Sequence, residues 1–250
     1  MSELSDLQAA WDEFAPEYYQ AERASQLSYV ADVIKFLQRK NLLPQQLVDL
    51  GSGAGRFAIP FAQAGVQVQA VDFSQAMLDL LTDRLKQLAL TQRVTSQRAS
   101  WQDLIETQIK FPAVWLSMLP DVDAEQMLQL SNLATEQFMI FRLVEVRDDN
   151  FTPLLAELNL PPERPEIQPR LMANYQEKLQ SHFSRVLTQR FHYQQQEQMS
   201  RVELEDYLES VLQLTPAQLE STMEKLQPKI SADQLRTIEN YTFELMIFQR

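Results

Sequence analysis

The chain has 250 residues, 22 Lys and Arg against 34 Asp and Glu, a formal charge of −12 and no cysteine. That charge opposes a polyphosphate partner such as nucleic acid, and the missing thiols remove disulfides, Cys-ligated metals and thiolate nucleophiles. No apolar run approaches the ~18 residues of a membrane span, and the acidic opening "MSELSDLQAAWDEF" is unlike a signal peptide. The expectation is a cytoplasmic protein with neither nucleic acid nor membrane as partner.

Residues 5–39 read as helix. Leu7, Ala10, Trp11, Phe14 and Tyr18 recur at helical spacing, Pro16 suggests a break or kink, and a second amphipathic helix spans 25–38. After Pro44, short apolar strands alternate with helices. Strands are expected at 46–50, 66–73, 93–98, 113–119 and 137–146, and helices at 55–64, 75–88 (capped by Ser74) and 123–134. This alternation indicates βαβ units around a parallel, doubly wound α/β sheet with helices on both faces.

The texture changes after Arg147. Segment 152–170 holds five of the chain's 12 prolines and reads as a long surface connection. A helix is expected at 172–183 and a long strand at 185–199. Ser200 with Glu203 forms a capping box, Thr215-Pro216 opens another helix, Ser231 is a candidate cap for a third, and 239–250 reads as the final strand. The organisation is one domain, 1–250: a helical cap (1–43), a core (44–147) and a C-terminal part of connection, helices and strands (148–250).

Three of the four glycines fall within "VDLGSGAGRF", at Gly51, Gly53 and Gly55, where average usage would spread about 17 through a chain this long. Glycines placed between a strand and a helix mark a turn where a nucleotide-like ligand approaches the backbone. A dinucleotide fingerprint separates its last two glycines by three positions, but Gly53 and Gly55 are two apart. Asp49, beside the turn, repels a pyrophosphate and attracts a cation. Asp72 ends the next strand, where an acid hydrogen-bonds ribose hydroxyls. An adenosine with a cationic amino-acid tail and no phosphate suits both acids.

On "VDLGSGAG" and "VDFSQAML", the chain resembles the class I S-adenosylmethionine-dependent methyltransferases, clearly over 45–146 and more loosely in "WDEFAPEYY" and the last strand. The resemblance implies a Rossmann-like, mostly parallel sheet with an antiparallel last strand, an N-terminal helical cap and extra C-terminal helices. It implies S-adenosyl-L-methionine as cofactor, no metal, and a small-molecule methyl acceptor as partner. Residue by residue, Asp49, Gly51, Ser52 and Gly53 would hold the methionine end, with Tyr18 facing the ligand. Asp72 would grip the ribose, Phe73 and Met77 would pack near the adenine, and Ser100 and Trp101 would cover its edge. Ser117 would stand at the end of the fourth strand, with Met118 and Leu119 near the transferred methyl group.

Ser100 stands where the family often has an acid, and Phe111-Pro112 replaces a common Phe-Asp. Simpler roles remain open at this level: Asp49 as a helix cap, Asp72 as a surface ion-pair partner, Trp101 as plain packing. No residue stands out as a general base, so no catalytic residue is named. The alternatives are a catalytically silent protein that binds the same cofactor and, less well matched, an NAD(P)-dependent oxidoreductase.

Overall fold

The computed structural model describes residues 3–120, 122–161, 167–168 and 170–250. The first helices are α1 (Glu3–Ala24) and α2 (Tyr29–Arg39). The core follows as β1 (Gln46–Leu50), α3 (Ala58–Gln63), β2 (Gln67–Asp72), α4 (Gln75–Gln87), β3 (Val94–Arg98), α5 (Trp101–Thr107), β4 (Phe111–Ser117), α6 (Ala124–Ser131) and β5 (Ala134–Asp148). The rest comprises α7 (Phe151–Glu157), α8 (Leu171–Leu179), β6 (Arg185–Ser200), α9 (Arg201–Asp206), α10 (Pro216–Leu226), β7 (Ile230–Ser231) and β8 (Gln234–Gln249).

The sheet runs β3-β2-β1-β4-β5-β8-β6, with β7 paired to β8. β1 to β5 are parallel. β8 runs against its neighbours: Arg250 N–H bonds the Glu136 carbonyl while Asp149 N–H bonds that of Ile238, and Ser184 N–H bonds that of Gln249. The fold is therefore the expected Rossmann-like sheet with antiparallel last strands.

Strand order reverses between β1 and β4, so their carboxyl ends diverge into a crevice. Register brings Leu50 of β1 beside Val71 and Leu116, and Asp72 of β2 beside Arg98. Strands covered on both faces need continuous apolar runs. Accordingly Leu47, Val48 and Leu50, like Val114, Trp115 and Leu116, are buried, and Phe57, Phe61 and Phe141 pack around Trp115.

The described chain divides into two compact units, one of residues 1–142, 170–191 and 243–250, the other of 143–169 and 192–242. The first holds the sheet core and all the residues treated as a site below. The second has its own apolar centre, built from Phe151, Leu154, Leu204, Leu208, Leu214, Leu226 and Leu235.

Several elements differ from expectation. α1 continues through Pro16; a proline there removes one N–H and one helical bond, and the flanking turns hold the helix. α3 begins at Ala58, because the glycine turn extends to Phe57. β4 carries Pro112 as its second residue, where the pairing with β5 slips register between Phe111 and Ala113, a place where a missing N–H is tolerated. Residues 151–157 are helical, started by Asp148, which accepts the N–H groups of Asn150 and Thr152. The rest of the proline-rich expectation, at 162–166 and 169, lies outside the described residues. Ser231 caps no helix. It ends β7, and Ala232-Asp233, both at positive φ, turn the chain directly into β8. The other caps form as read: Ser74, Ser200 and Thr215 each accept an N–H three residues on.

Candidate functional site

The three glycines of the turn do three different jobs. Gly51 has φ +72°, and a Cβ there would lie 2.8 Å from Leu119 Cδ1. Gly53, at φ +52°, faces Tyr18 and the Met77 sulfur at ordinary contact distance. Gly55, at φ +91°, lets the turn pack on α4: a Cβ would lie 2.4 Å from Leu81 Cδ1. L-residues resist these conformations, and only glycine accepts them without strain.

The turn spends its amides on the protein itself. The N–H groups of Gly51 and Ser52 both go to the Val71 carbonyl, that of Gly55 to the Ser52 carbonyl, and that of Gly53 to Asp72 Oδ2 at 2.8 Å. The other oxygen of Asp72 accepts the Ser74 N–H at 2.9 Å. Asp72 therefore braces the turn while keeping lone pairs for a ligand. Burial drives its pKa above the ordinary carboxylate range, and the Ser74 and Gly53 amides pull it back.

Asp49 is 1% exposed, and neither of its oxygens has a hydrogen-bond partner of good geometry; the buried Ser52 hydroxyl is likewise unpartnered. Burial, and then the charge of Asp72, push the Asp49 carboxyl up to about 8, against a smaller pull from the Ala58 amide. Unsatisfied buried polar groups are costly, so this cluster is a local cost to stability built in behind the turn.

A cavity opens beside the turn. α1 contributes Leu4, Leu7, Trp11 and Tyr18; the first two strand ends contribute Leu50, Gly51, Gly53, Val71, Asp72 and Phe73; Met77 comes from α4. The far side is Ala99 to Gln102 and Ser117 to Pro120. Of the residues expected at a site, Tyr18, Gly51, Gly53, Asp72, Phe73, Met77, Ser100, Trp101 and Ser117 border this cavity. Asp49 and Ser52 do not line it. Strand side chains alternate between faces, and Leu50 takes the cavity side, leaving Asp49 opposite. Ser100 borders the cavity but caps α5, donating to Asp103 Oδ2 and accepting the Asp103 N–H. The S-x-x-D spacing of Ser100 and Asp103 is the local signature of this cap.

No spacing in residue order signals what pins α1 over the turn. Asp12 accepts the Ser74 hydroxyl at 2.6 Å and the Ala76 N–H at 3.1 Å. Glu22, 9% exposed at its side chain, pairs with Arg56 at 3.3 Å and Arg84 at 3.1 Å. Arg56 lies over the Tyr18 ring and Arg84 over Tyr19, while Arg84 also bonds the Ala54 carbonyl at 2.5 Å. Tyr18 thus faces the cavity while Tyr19 stacks on the arginine.

The loop after β4 is fixed from behind: Arg142 donates to the Leu119 carbonyl, the Tyr175 hydroxyl donates to the Val122 carbonyl, and Met118 adopts φ +53°. Among the described residues, no group of three or more His, Asp or Glu is placed to hold a metal, and no helix is long and apolar enough to cross a membrane.

Residues 47–134 match the family described as methyltransferase domain. An uncharacterised protein of Haemophilus influenzae is 40% identical over 70 residues, a segment that makes up 28% of this chain and 26% of that relative. Magnesium protoporphyrin IX methyltransferase of Synechocystis PCC 6803, solved with bound SAH, is similar at a TM-score of 0.57 and 17% identity, covering 74% of this chain and 93% of that one. The same protein with bound SAM aligns over 96% and 97% of the two chains at TM-score 0.54 and 14% identity. YcgJ of Bacillus subtilis aligns at TM-score 0.51 and 13% identity over 88% and 97%. At these identities the solved structures share the fold.

Proposed function

We propose, from the match of residues 47–134 to a methyltransferase domain and the resemblance to the class I S-adenosylmethionine-dependent methyltransferases, that the chain binds S-adenosylmethionine at the glycine turn and transfers its methyl group to a small molecule. One observation carries this reading. The amides of Gly51, Ser52, Gly53 and Gly55 are all spent inside the protein, and the one charged residue among those described along the cavity is an acid, Asp72. A phosphate needs free amides or basic groups; these four amides are taken, and no Lys, Arg or His lies among the described residues along the cavity. A cationic, phosphate-free adenosine derivative suits it.

When bound, the cofactor supplies a methyl group on a sulfonium, whose S–CH3 bond breaks with its electrons left on sulfur as a neutral thioether. The protein's own share is binding and alignment. Asp72 takes ribose hydroxyls, Phe73 and Met77 contact the base, Trp101 covers its edge, and Tyr18 and Ser117 flank the reacting end. Such positioning contributes on the order of 7–11 kcal/mol when it creates a near-attack geometry, and the α1 roof excludes water that would compete with the acceptor.

Isothermal titration with S-adenosylhomocysteine and with NADH tests the reading. Binding of the former alone is expected. Tight NADH binding at the turn would transfer the site to hydride chemistry, and no binding of either would remove it. Turnover of radiolabelled methyl groups on an acceptor panel separates an enzyme from a silent binder.

A further inference from the structure

The apolar face of α1 follows a three-four spacing: Leu4, Leu7, Trp11, Phe14, Tyr18. Such a seam is normally buried against a partner helix. Here Leu4, Leu7 and Phe14 are 38%, 45% and 42% exposed. Trp11, Phe14 and Tyr18 pack edge-on, with centroids 5.9–6.1 Å apart, as one aromatic cluster. The seam runs into the cavity, because Leu4, Leu7, Trp11 and Tyr18 also line it. Across from it stand Met118, Leu119 and Pro120, on the loop that Arg142 and Tyr175 hold.

We infer that this seam and the loop after β4 form the acceptor wall, and that the acceptor is an uncharged, largely apolar molecule whose nucleophilic atom carries a free lone pair. The inference rests on the methyl-transfer reading above and deepens it. An anionic acceptor needs a cation, yet no Lys, Arg or His lies among the described residues along the cavity. A protonated acceptor needs a base. Among the described residues along the cavity, the titratable groups are Asp72, which accepts two turn amides and in the reading above is taken by the ribose hydroxyls, and Tyr18, whose phenol burial holds in the protonated form. The acceptor therefore arrives with its own lone pair. That pair forms the new bond to carbon, the positive charge passes to the acceptor, and any proton it then sheds goes to water. The seam supplies binding energy by covering apolar surface.

The probes are N-phenyl-1-naphthylamine, neutral and apolar, and its anionic relative 1-anilinonaphthalene-8-sulfonate, each titrated by fluorescence into the full chain saturated with S-adenosylhomocysteine. The neutral probe is expected to bind about tenfold more tightly than the anionic one, and Leu4→Ser and Leu7→Ser, at two cavity-lining positions, to weaken it about fivefold to tenfold, somewhat less than a fully buried apolar side chain supplies. Equal or tighter binding of the anionic probe overturns the inference, as does unchanged affinity in both variants. The comparison of probes needs only the unaltered protein, so it stands even if a variant unfolds. A sedimentation-velocity dimer that Phe14→Ser dissolves assigns the seam to a second copy of the chain and also overturns it. S-adenosylhomocysteine binding without neutral-probe binding sinks this inference alone, whereas failure of S-adenosylhomocysteine to bind sinks the donor reading beneath it.

Discussion

The two walls of the cavity are made of different material. The turn wall is backbone and buried acid: its amides are paired, Asp72 braces it, and Asp49 sits unpaired behind it. The α1 wall is side chain, apolar and half exposed, held at a distance from its own surface by Asp12 and by Glu22 with its two arginines. The contrast teaches where each kind of specificity is stored. The turn wall is set by main-chain conformation, at positive φ and close contact that a side chain would disturb, while the α1 wall is set by side chains, several of them exposed.

The largest test of that contrast is Gly55→Val. Its positive φ and the 2.4 Å approach to Leu81 predict a loss of about 3–5 kcal/mol from left-handed strain and overpacking, read from urea melts; a loss below 1 kcal/mol would mean that the turn is not the rigid wall described. Glu22→Gln comes next. It leaves Arg56 and Arg84 facing each other with one charge removed, and about 2–3 kcal/mol should be lost, below the figure for a fully buried pair; an unchanged melt would show that α1 is held by its apolar contacts instead. Asp72→Ala should weaken S-adenosylhomocysteine binding by about 1–3 kcal/mol in calorimetry, and a negligible change removes Asp72 from the site.

Asp49 offers a pH test. Its folded pKa, about 8, lies above its unfolded value of 3.8. Its contribution to stability is greatest below the unfolded value and is lost as pH rises towards the folded one, with a slope approaching ~1.4 kcal/mol per pH unit within that window. The ligand-free protein should melt progressively lower from pH 5 to 8, and Asp49→Asn should flatten that trend and raise the melting temperature at pH 8. A parallel pH dependence in both proteins contradicts the assignment. The smallest effect is expected on the α1 wall: Phe14→Ser should change stability by less than about 0.5 kcal/mol, as for an exposed site, and a larger loss would show that the seam is core.

Some of this was legible from residue order because it is local. Asp49, the glycine cluster and Asp72 are joined by short-range geometry, and the caps at Ser74, Ser200 and Thr215 are i to i+3 relations. The helix at 151–157 is hidden by the proline content of 152–170, although proline is accepted in a first helical turn, where Pro153 sits. Ser231 is ambiguous in residue order because serine starts turns as readily as helices, and Ala232-Asp233, at positive φ, make a hairpin there.

By itself, then, the sequence determined the alternation of strands and helices, the turn and its two acids, and through them the likeness of residues 47–134 to a methyltransferase domain, since each depends on neighbours a few positions away. Only the tertiary structure decided that Asp49 lies behind the cavity wall, that Glu22 gathers Arg56 and Arg84, and that Arg142 and Tyr175 fix the loop opposite α1. Those relations join residues tens of positions apart, and side-chain packing between folded elements, which no local spacing encodes, sets them.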